Sequence, residues 1–476
     1  MPQIRQVDET LWEIPASERA DMRVPARVFA DPELLEAIRS DRSLEQLQNV
    51  ATLPGVVEAA LAMPDIHQGY GFPVGGVAST ELPDGVVSPG GVGYDINCGV
   101  RLLAVPLTAA ELGSRKESLV HEIARRAPSG AGREGRVRLR GAELDRVLRE
   151  GPSALLELRG IGASQDLERT ESLGRLEGAD PRCVSQRARE RGGGQLGTVG
   201  SGNHFIEVQR VERVFDEAAA RAYGLESGRI TVLIHSGSRG LGHQVCTDSV
   251  KRMDAALARY GIELPDRQLA CAPLSSPEAR HYLGAMAAAA NFAWANRAAI
   301  ADAVREAVRA VLGAEAARAT RQVYDVAHNV AKLERYGGRE VCVHRKGATR
   351  AFPPGNPEIP AAYRDAGQPV FIPGSMGTSS FVLAGRPGSM ERSFGTTCHG
   401  AGRRMSRTQA RKRIRGAELR RQLEADGVTV RCPSNRGLTE EAPFAYKEVD
   451  AVVEVVERAG LAARVAQLRP IGVVKG

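Results

Sequence analysis

The chain has 476 residues, 42% hydrophobic and 25% charged, with a formal net charge of +7. That is ordinary for a globular protein and long enough to bury a large core. No run of about 18 apolar residues is present, which excludes a transmembrane helix, and the opening MPQIRQVDETLWEIP lacks the apolar stretch of a secretory leader, so the expected location is the cytoplasm.

In chain order, glycine-rich stretches at 69–76 and 90–99 come first, followed by a strand-like run at 100–106 (VRLLAVP) and helical periodicity over 114–126. Segment 127–194 is rich in Arg and Glu and the least apolar part; it contains a helical pattern at 143–158 and reads as an insertion or flap. A glycine-rich stretch at 192–202, a strand at 229–235 (RITVLIH) and another glycine-rich stretch at 236–242 follow. The pattern over 281–313 is helical, as one helix or two. Strands at 340–344 and 369–372, a glycine-rich loop at 373–377 and helices over 406–426 and 448–459 complete the chain. No βαβ rhythm runs through this order, which favours an α+β or irregular mixed α/β fold. The recurrence of glycine-rich loops suggests one site assembled from distant segments, and hence one domain over 1–476.

The seven cysteines are scattered and form no CxxC, so reduced thiols are expected. Cys98 stands apart because GGVGYDINCG places it three residues after Asp95 in a turn with four glycines. Such a pair reads as metal ligands, as a nucleophile with its helper, or as a turn with a buried thiol. His204, His235 and His328 each sit at an element end or beside a Gly/Ser-rich loop, where sites are commonly built. Together with Asp95 and Cys98 they would suffice for two metal ions bridged by the thiolate, with Mn²⁺ and Zn²⁺ both suited to the donors. Taken singly, a histidine at the end of an apolar strand is more often a satisfied core residue than a ligand, and Cys98 alone is more often a buried thiol.

There is no GxxxxGK[ST], no Rossmann fingerprint and no Lys-x-Asp-Gly. A nucleotide-activating enzyme with this sequence would need another nucleophile, and a neutral imidazole such as His399 in CHGAGR is chemically suitable. Only seven of the 64 basic residues are Lys, which makes penultimate Lys475 conspicuous.

PDIHQGYGFPVGGV (64–77), GGVGYDINCGVR (90–101), GSGNHFIEV (200–208), IHSGSRGLGH (234–243), AHNVAK (327–332), PGSMGTSSF (373–381), CHGAGR (398–403) and the terminal VVKG occur in one order. Together they strongly resemble the RtcB family, GTP- and manganese-dependent RNA-splicing ligases that join a 3′-phosphate or 2′,3′-cyclic phosphate end to a 5′-hydroxyl.

The resemblance implies that Cys98 bridges two Mn²⁺ ions, with Asp95 and His204 on one and His235 and His328 on the other. His399 would become GMP-histidine. The guanosine nucleotide of GTP would be held by Asn203, His204, Phe205, Ile206 and Glu207, by His328 and Asn329, by Pro373, Gly374, Ser375, Met376 and Ser380, by His399, Gly400, Ala401 and Gly402, and by Lys475. Arg239 and Arg407, with Arg189 or Arg191, would hold RNA phosphates; Asp65 and His67 would assist proton transfer or end placement. Implied partners are RNA with broken ends, such as tRNA halves, and the activator archease. Two rival readings are a metal-dependent RNA-end phosphatase or cyclic phosphodiesterase, which needs neither His399 nor GTP, and a non-catalytic RNA-binding accessory, which needs no two-metal site.

Overall fold

The computed structural model describes residues 3–476. Two mixed sheets dominate. In the eight-stranded sheet the strands lie in the order Arg321–Ala327, Gly99–Thr108, Arg229–Ser236, Phe205–Val214, Ala462–Lys475, Ser380–Gly385 and Pro369–Ile372, with Thr429–Arg431 added in parallel to the end of Ala462–Lys475. In the seven-stranded sheet, short N-terminal strands lead to Ala60–His67, Val74–Glu81, Arg339–Lys346 and Asn329–Tyr336. The fold is thus a mixed α/β one without a doubly wound sheet, in agreement with the sequence pattern.

The antiparallel register of the larger sheet explains where the site lies. Gly99 pairs with both Ser236 and Ala327, Phe205 with His235, and Lys475 with Phe205. Two strand starts and three strand ends therefore meet at one edge. Cys98 and His204, just before two of these strands, and His235 and His328, at the ends of two others, are carried there by pairing alone. At His328 the chain passes from one sheet to the other, since Asn329 opens the next strand and pairs with Lys346.

A single helix, Pro277–Leu312, crosses behind this edge. Ser276 caps it by accepting the Ala279 N–H, and Pro277 occupies its first turn. Its run of buried alanines keeps helix propensity high while letting neighbouring elements approach closely. The 143–158 pattern is two helices, Gly141–Glu150 and Pro152–Arg159, divided at Gly151. Likewise 406–426 divides into Arg407–Arg413 and Gly416–Ala425. Segment 127–194 is sparing with apolar residues but uses them: Leu139, Leu144, Val147, Leu148 and Leu155 are buried in one cluster with the long helix. No helix among the described residues is long and apolar enough to cross a membrane.

Candidate active site and metal centre

The turn 90–99 is shaped by the needs of its neighbours. Gly93 has φ +89°, a left-handed conformation. A Cβ on Gly99 would lie 2.2 Å from the Val326 carbonyl oxygen and 2.9 Å from the Arg297 guanidinium. Arg297, fully buried on the long helix, is what fills that space. It donates to the backbone carbonyls of Asn97 (2.8 Å) and Ser236 (2.9 Å), to the Asn97 side chain, and to the Asp325 carboxylate at 2.7 Å. One guanidinium thereby ties together the residue before Cys98, the residue after His235, and the strand leading to His328.

At this edge Cys98 Sγ lies 3.3 Å from His204 Nε2 and 3.2 Å from His235 Nε2. His235 Nε2 is 3.2 Å from His328 Nε2, and His204 Nε2 is 2.7 Å from Asp95 Oδ2. The donors form two groups, Asp95–Cys98–His204 and Cys98–His235–His328, that share the thiol. Burial pushes the Cys98 thiol well up, and Asp95 pushes it further. Burial also holds His235 and His328 far below the usual imidazole range, hence neutral. Two neutral Nε2 atoms facing each other, a thiol beside a carboxylate, and an imidazole nitrogen aimed at that carboxylate make a donor set that a divalent cation satisfies. The set fits a metal centre.

His399 sits beside this group, its ring centroid 5.1 Å from that of His328. Asp65, fully buried behind it, places Oδ2 2.6 Å from His399 Nδ1 and accepts the backbone N–H groups of His399 and Gly400. Burial pushes the Asp65 carboxyl up, but His399, its backbone N–H and Lys447 outweigh this and hold it below the usual range. An ionised Asp65 fixes the tautomer: Nδ1–H donates, and Nε2 keeps its lone pair. Lys447 in turn donates to the carbonyls of Pro64 (3.0 Å) and Ile66 (2.6 Å), clamping the strand that carries Asp65.

A cavity of about 350 Å³ opens over both groups. Asp95, Cys98, Asn203, Phe205, His235, His328 and Asn329 line it, as do Pro373 to Met376, His399 to Gly402, Arg407 and Lys475. The C-terminal strand brings Lys475 in, its Nζ 5.2 Å from the centre of the Phe205 ring. Glu207 and Ser380 are buried and meet through Gln209, which donates to Glu207 Oε2 at 2.8 Å and to Ser380 Oγ at 3.1 Å. Ile206 points into an apolar cluster with Val208 and Ile234. His67 is partly buried at the rim, and Arg239 Nη1 lies 3.2 Å from His204 Nδ1. Arg189 and Arg191 line a separate cavity of about 550 Å³.

The tRNA-splicing ligase RtcB family model matches residues 46–476. The chain belongs to this family. It is 53% identical to the tRNA-splicing ligase RtcB of Thermococcus kodakarensis, covering 100% of this chain and 99% of the relative. It is 52% identical to that of Archaeoglobus fulgidus, covering 99% of each. The RNA-splicing ligase RtcB of Mycobacterium tuberculosis is 51% identical, over 90% of this chain and 100% of the relative. The motif-based resemblance therefore holds along nearly the whole chain.

Lys346, Arg403, Glu441 and Tyr446, which are not among the site residues expected from the sequence, also line the cavity. Glu441 accepts from Arg403 at 3.1 Å and Arg407 at 2.9 Å, and Tyr446 OH bonds to it as well. For Lys346 a signal existed: lysine is rare in this chain, and four of the seven (332, 346, 447 and 475) are buried.

Proposed function

We propose that this chain, an RNA ligase of its family, joins RNA ends bearing a 3′-phosphate or 2′,3′-cyclic phosphate to 5′-hydroxyl ends through GMP-histidine on His399. The observation that carries this reading is the Asp65–His399 contact of 2.6 Å beside the thiol-sharing donor groups. An imidazole with its Nδ1 proton held by a buried carboxylate presents Nε2 as a nucleophile, which a phosphatase using metal alone does not need.

A cyclic phosphate is first opened by water to a 3′-phosphate. His399 Nε2 then attacks the α-phosphorus of GTP; the N–P bond forms, the bond to the bridging oxygen breaks, and pyrophosphate leaves. An oxygen of the RNA 3′-phosphate displaces the histidine, freeing Nε2 and giving an activated end. The RNA 5′-oxygen, losing its proton, attacks the 3′-phosphorus and expels GMP, so that the 3′-phosphate remains in the new linkage. Mn²⁺, two ions on this reading, held by Asp95, Cys98 and His204 and by Cys98, His235 and His328, would supply charge neutralisation at the phosphates when bound.

Asn203, Phe205, Asn329, Pro373 to Met376, Gly400 to Gly402 and Lys475 would enclose the nucleotide, with Glu207 and Ser380 reached at its base. His204 and His328 would border it from the metal side, and Ile206 would contribute backbone alone. Arg239 and Arg407 would hold RNA phosphates. On this reading the chain is one domain acting in the cytoplasm, on tRNA halves or damaged RNA, with archease as activator.

The test supplies two RNA strands, one ending in a labelled 3′-phosphate and one beginning with a 5′-hydroxyl, together with GTP and Mn²⁺. The expected result is a joined strand in which the label has become resistant to phosphatase. Release of labelled phosphate with no joined product would favour the phosphatase reading instead.

A further inference from the structure

Tyr94 lines the active-site cavity, and its ring stacks on that of His243, with centroids 4.8 Å apart and planes at 29°. Tyr70 meets Tyr94 edge-on at 5.1 Å. On the far side, Arg191 Nη1 lies 3.4 Å from His243 Nδ1, and Arg191 lines the second, larger cavity. The four side chains thus form a continuous row from one cavity to the other.

Only 4% of the chain is Phe, Trp or Tyr, so a row of rings at a cavity mouth is not a product of composition. Neither Tyr94 nor His243 belongs to an apolar core cluster, and His243 is exposed at the open end of the stack. Of the charges acting on it, the Arg191 guanidinium outweighs the Asp95 carboxylate. Arg191 donates to Gln244 at 2.8 Å and has no carboxylate partner among the described residues, and Arg140 in the same cavity has none either. Glu134 and Glu190 are the acids lining that cavity, against four arginines. Flat rings beside unpaired guanidinium groups are what single-stranded nucleic acid requires, with bases on the rings and phosphates on the cations.

We propose that Tyr94 and His243 form a stacking platform for a base of the RNA strand as it runs from the arginine-lined cavity into the active site. This rests on the RNA-ligase reading and adds a binding subsite to it. His243 is the residue to probe, since it stands outside the metal and nucleotide groups.

Binding of a fluorescent single-stranded RNA with a 3′-phosphate is measured for the full chain, for His243→Ala and for His243→Phe. Transfer of GMP from GTP to the protein, which uses no RNA, serves as the control for an intact site. The stack predicts about tenfold weaker RNA binding for His243→Ala, near-normal binding for His243→Phe, and unchanged self-guanylylation in both. Equal RNA binding by all three proteins, or equal weakening in both variants, overturns the platform. With the unaltered protein, each nucleotide within four of the end is replaced in turn by an abasic one. One position must then weaken binding, and His243→Ala must be indifferent to it; uniform effects at every position contradict the proposal. If the unaltered protein neither self-guanylylates nor seals RNA, the failure lies with the ligase reading and not with the platform.

Discussion

Asp65 and His399 are 334 residues apart in sequence, yet the Oδ2 of the first accepts from both the ring and the backbone of the second, at 2.6 Å and 3.0 Å. One carboxylate oxygen thus sets the position, the ring orientation and the tautomer of the histidine. Asp65→Asn keeps the shape but offers an amide that can donate to Nδ1, which favours the tautomer with Nε2 protonated. Self-guanylylation should fall by about 10²-fold or more, while metal content stays normal. A variant that labels at the parental rate would show that Asp65 does not set the nucleophile.

Glu207 gives the account a pH signature. Burial pushes its carboxyl up to about 8, against a Gln209 hydrogen bond and the charge of Lys475, and its Oε1 has no protein partner. The group is therefore mostly protonated at neutral pH and ionises as the pH rises through about 8. If its carboxylate accepts the N–H groups of guanine, GTP affinity should increase by about tenfold per pH unit below that value and level off above it. Calorimetric titrations of GTP across pH 6 to 9 check the slope, and Glu207→Gln should be flat and weaker. A flat profile for the unaltered protein would remove Glu207 from base recognition.

Because Cys98 belongs to both donor groups, the two cannot be lost independently through it. Cys98→Ser should lower bound Mn²⁺ from two ions per chain to fewer than one after gel filtration, as read by elemental analysis. His328→Ala, by contrast, should leave the Asp95–Cys98–His204 group and retain about one ion. Equal retention by both variants would contradict the shared thiolate.

Arg297 should be indispensable without touching substrate. Its side chain is fully buried and holds Asn97, Ser236 and Asp325 at once. Arg297→Lys cannot reproduce the planar fork; Arg101 still donates to Asp325 Oδ2 at 2.7 Å, but the other carboxylate oxygen and the carbonyls of Asn97 and Ser236 are left short of donors. The expected loss is about 1–3 kcal/mol of stability by denaturant unfolding, together with weaker Mn²⁺ binding in the folded fraction. Unchanged metal affinity would mean that the strand ends are held in register without it.

The site was legible where chemistry coincides with strand ends. Cys98 and His204 stand where glycine-rich turns give way to apolar runs, and His235 and His328 where apolar runs stop, because a ligand-bearing turn needs an anchored strand beside it. Three of the strands the sequence pattern does not suggest lack clean alternation: Ala60–His67 contains Pro64, Val74–Glu81 has two glycines, and Ala462–Lys475 shifts register around Pro470 and Gly472. The periodicity over 406–426 suggests one helix because the apolar spacing continues through Ile414, yet the backbone is extended there and at Arg415. Buried ion pairs were invisible for a different reason. Lys332 with Glu171, and Arg297 with Asp325, are charged residues that any single-sequence reading assigns to the surface, and only a partner brought from elsewhere in the fold makes their burial tolerable.

The central claim is that His399 carries GMP. The direct measurement incubates purified protein with α-labelled GTP and Mn²⁺, then follows label on the denatured chain, with His399→Ala alongside. The expected label is acid-labile and alkali-stable, maps to the peptide containing CHGAGR, and is absent from the variant. Label that persists in His399→Ala, or no label on the unaltered protein across a range of divalent metals with Cys98 kept reduced, would contradict it.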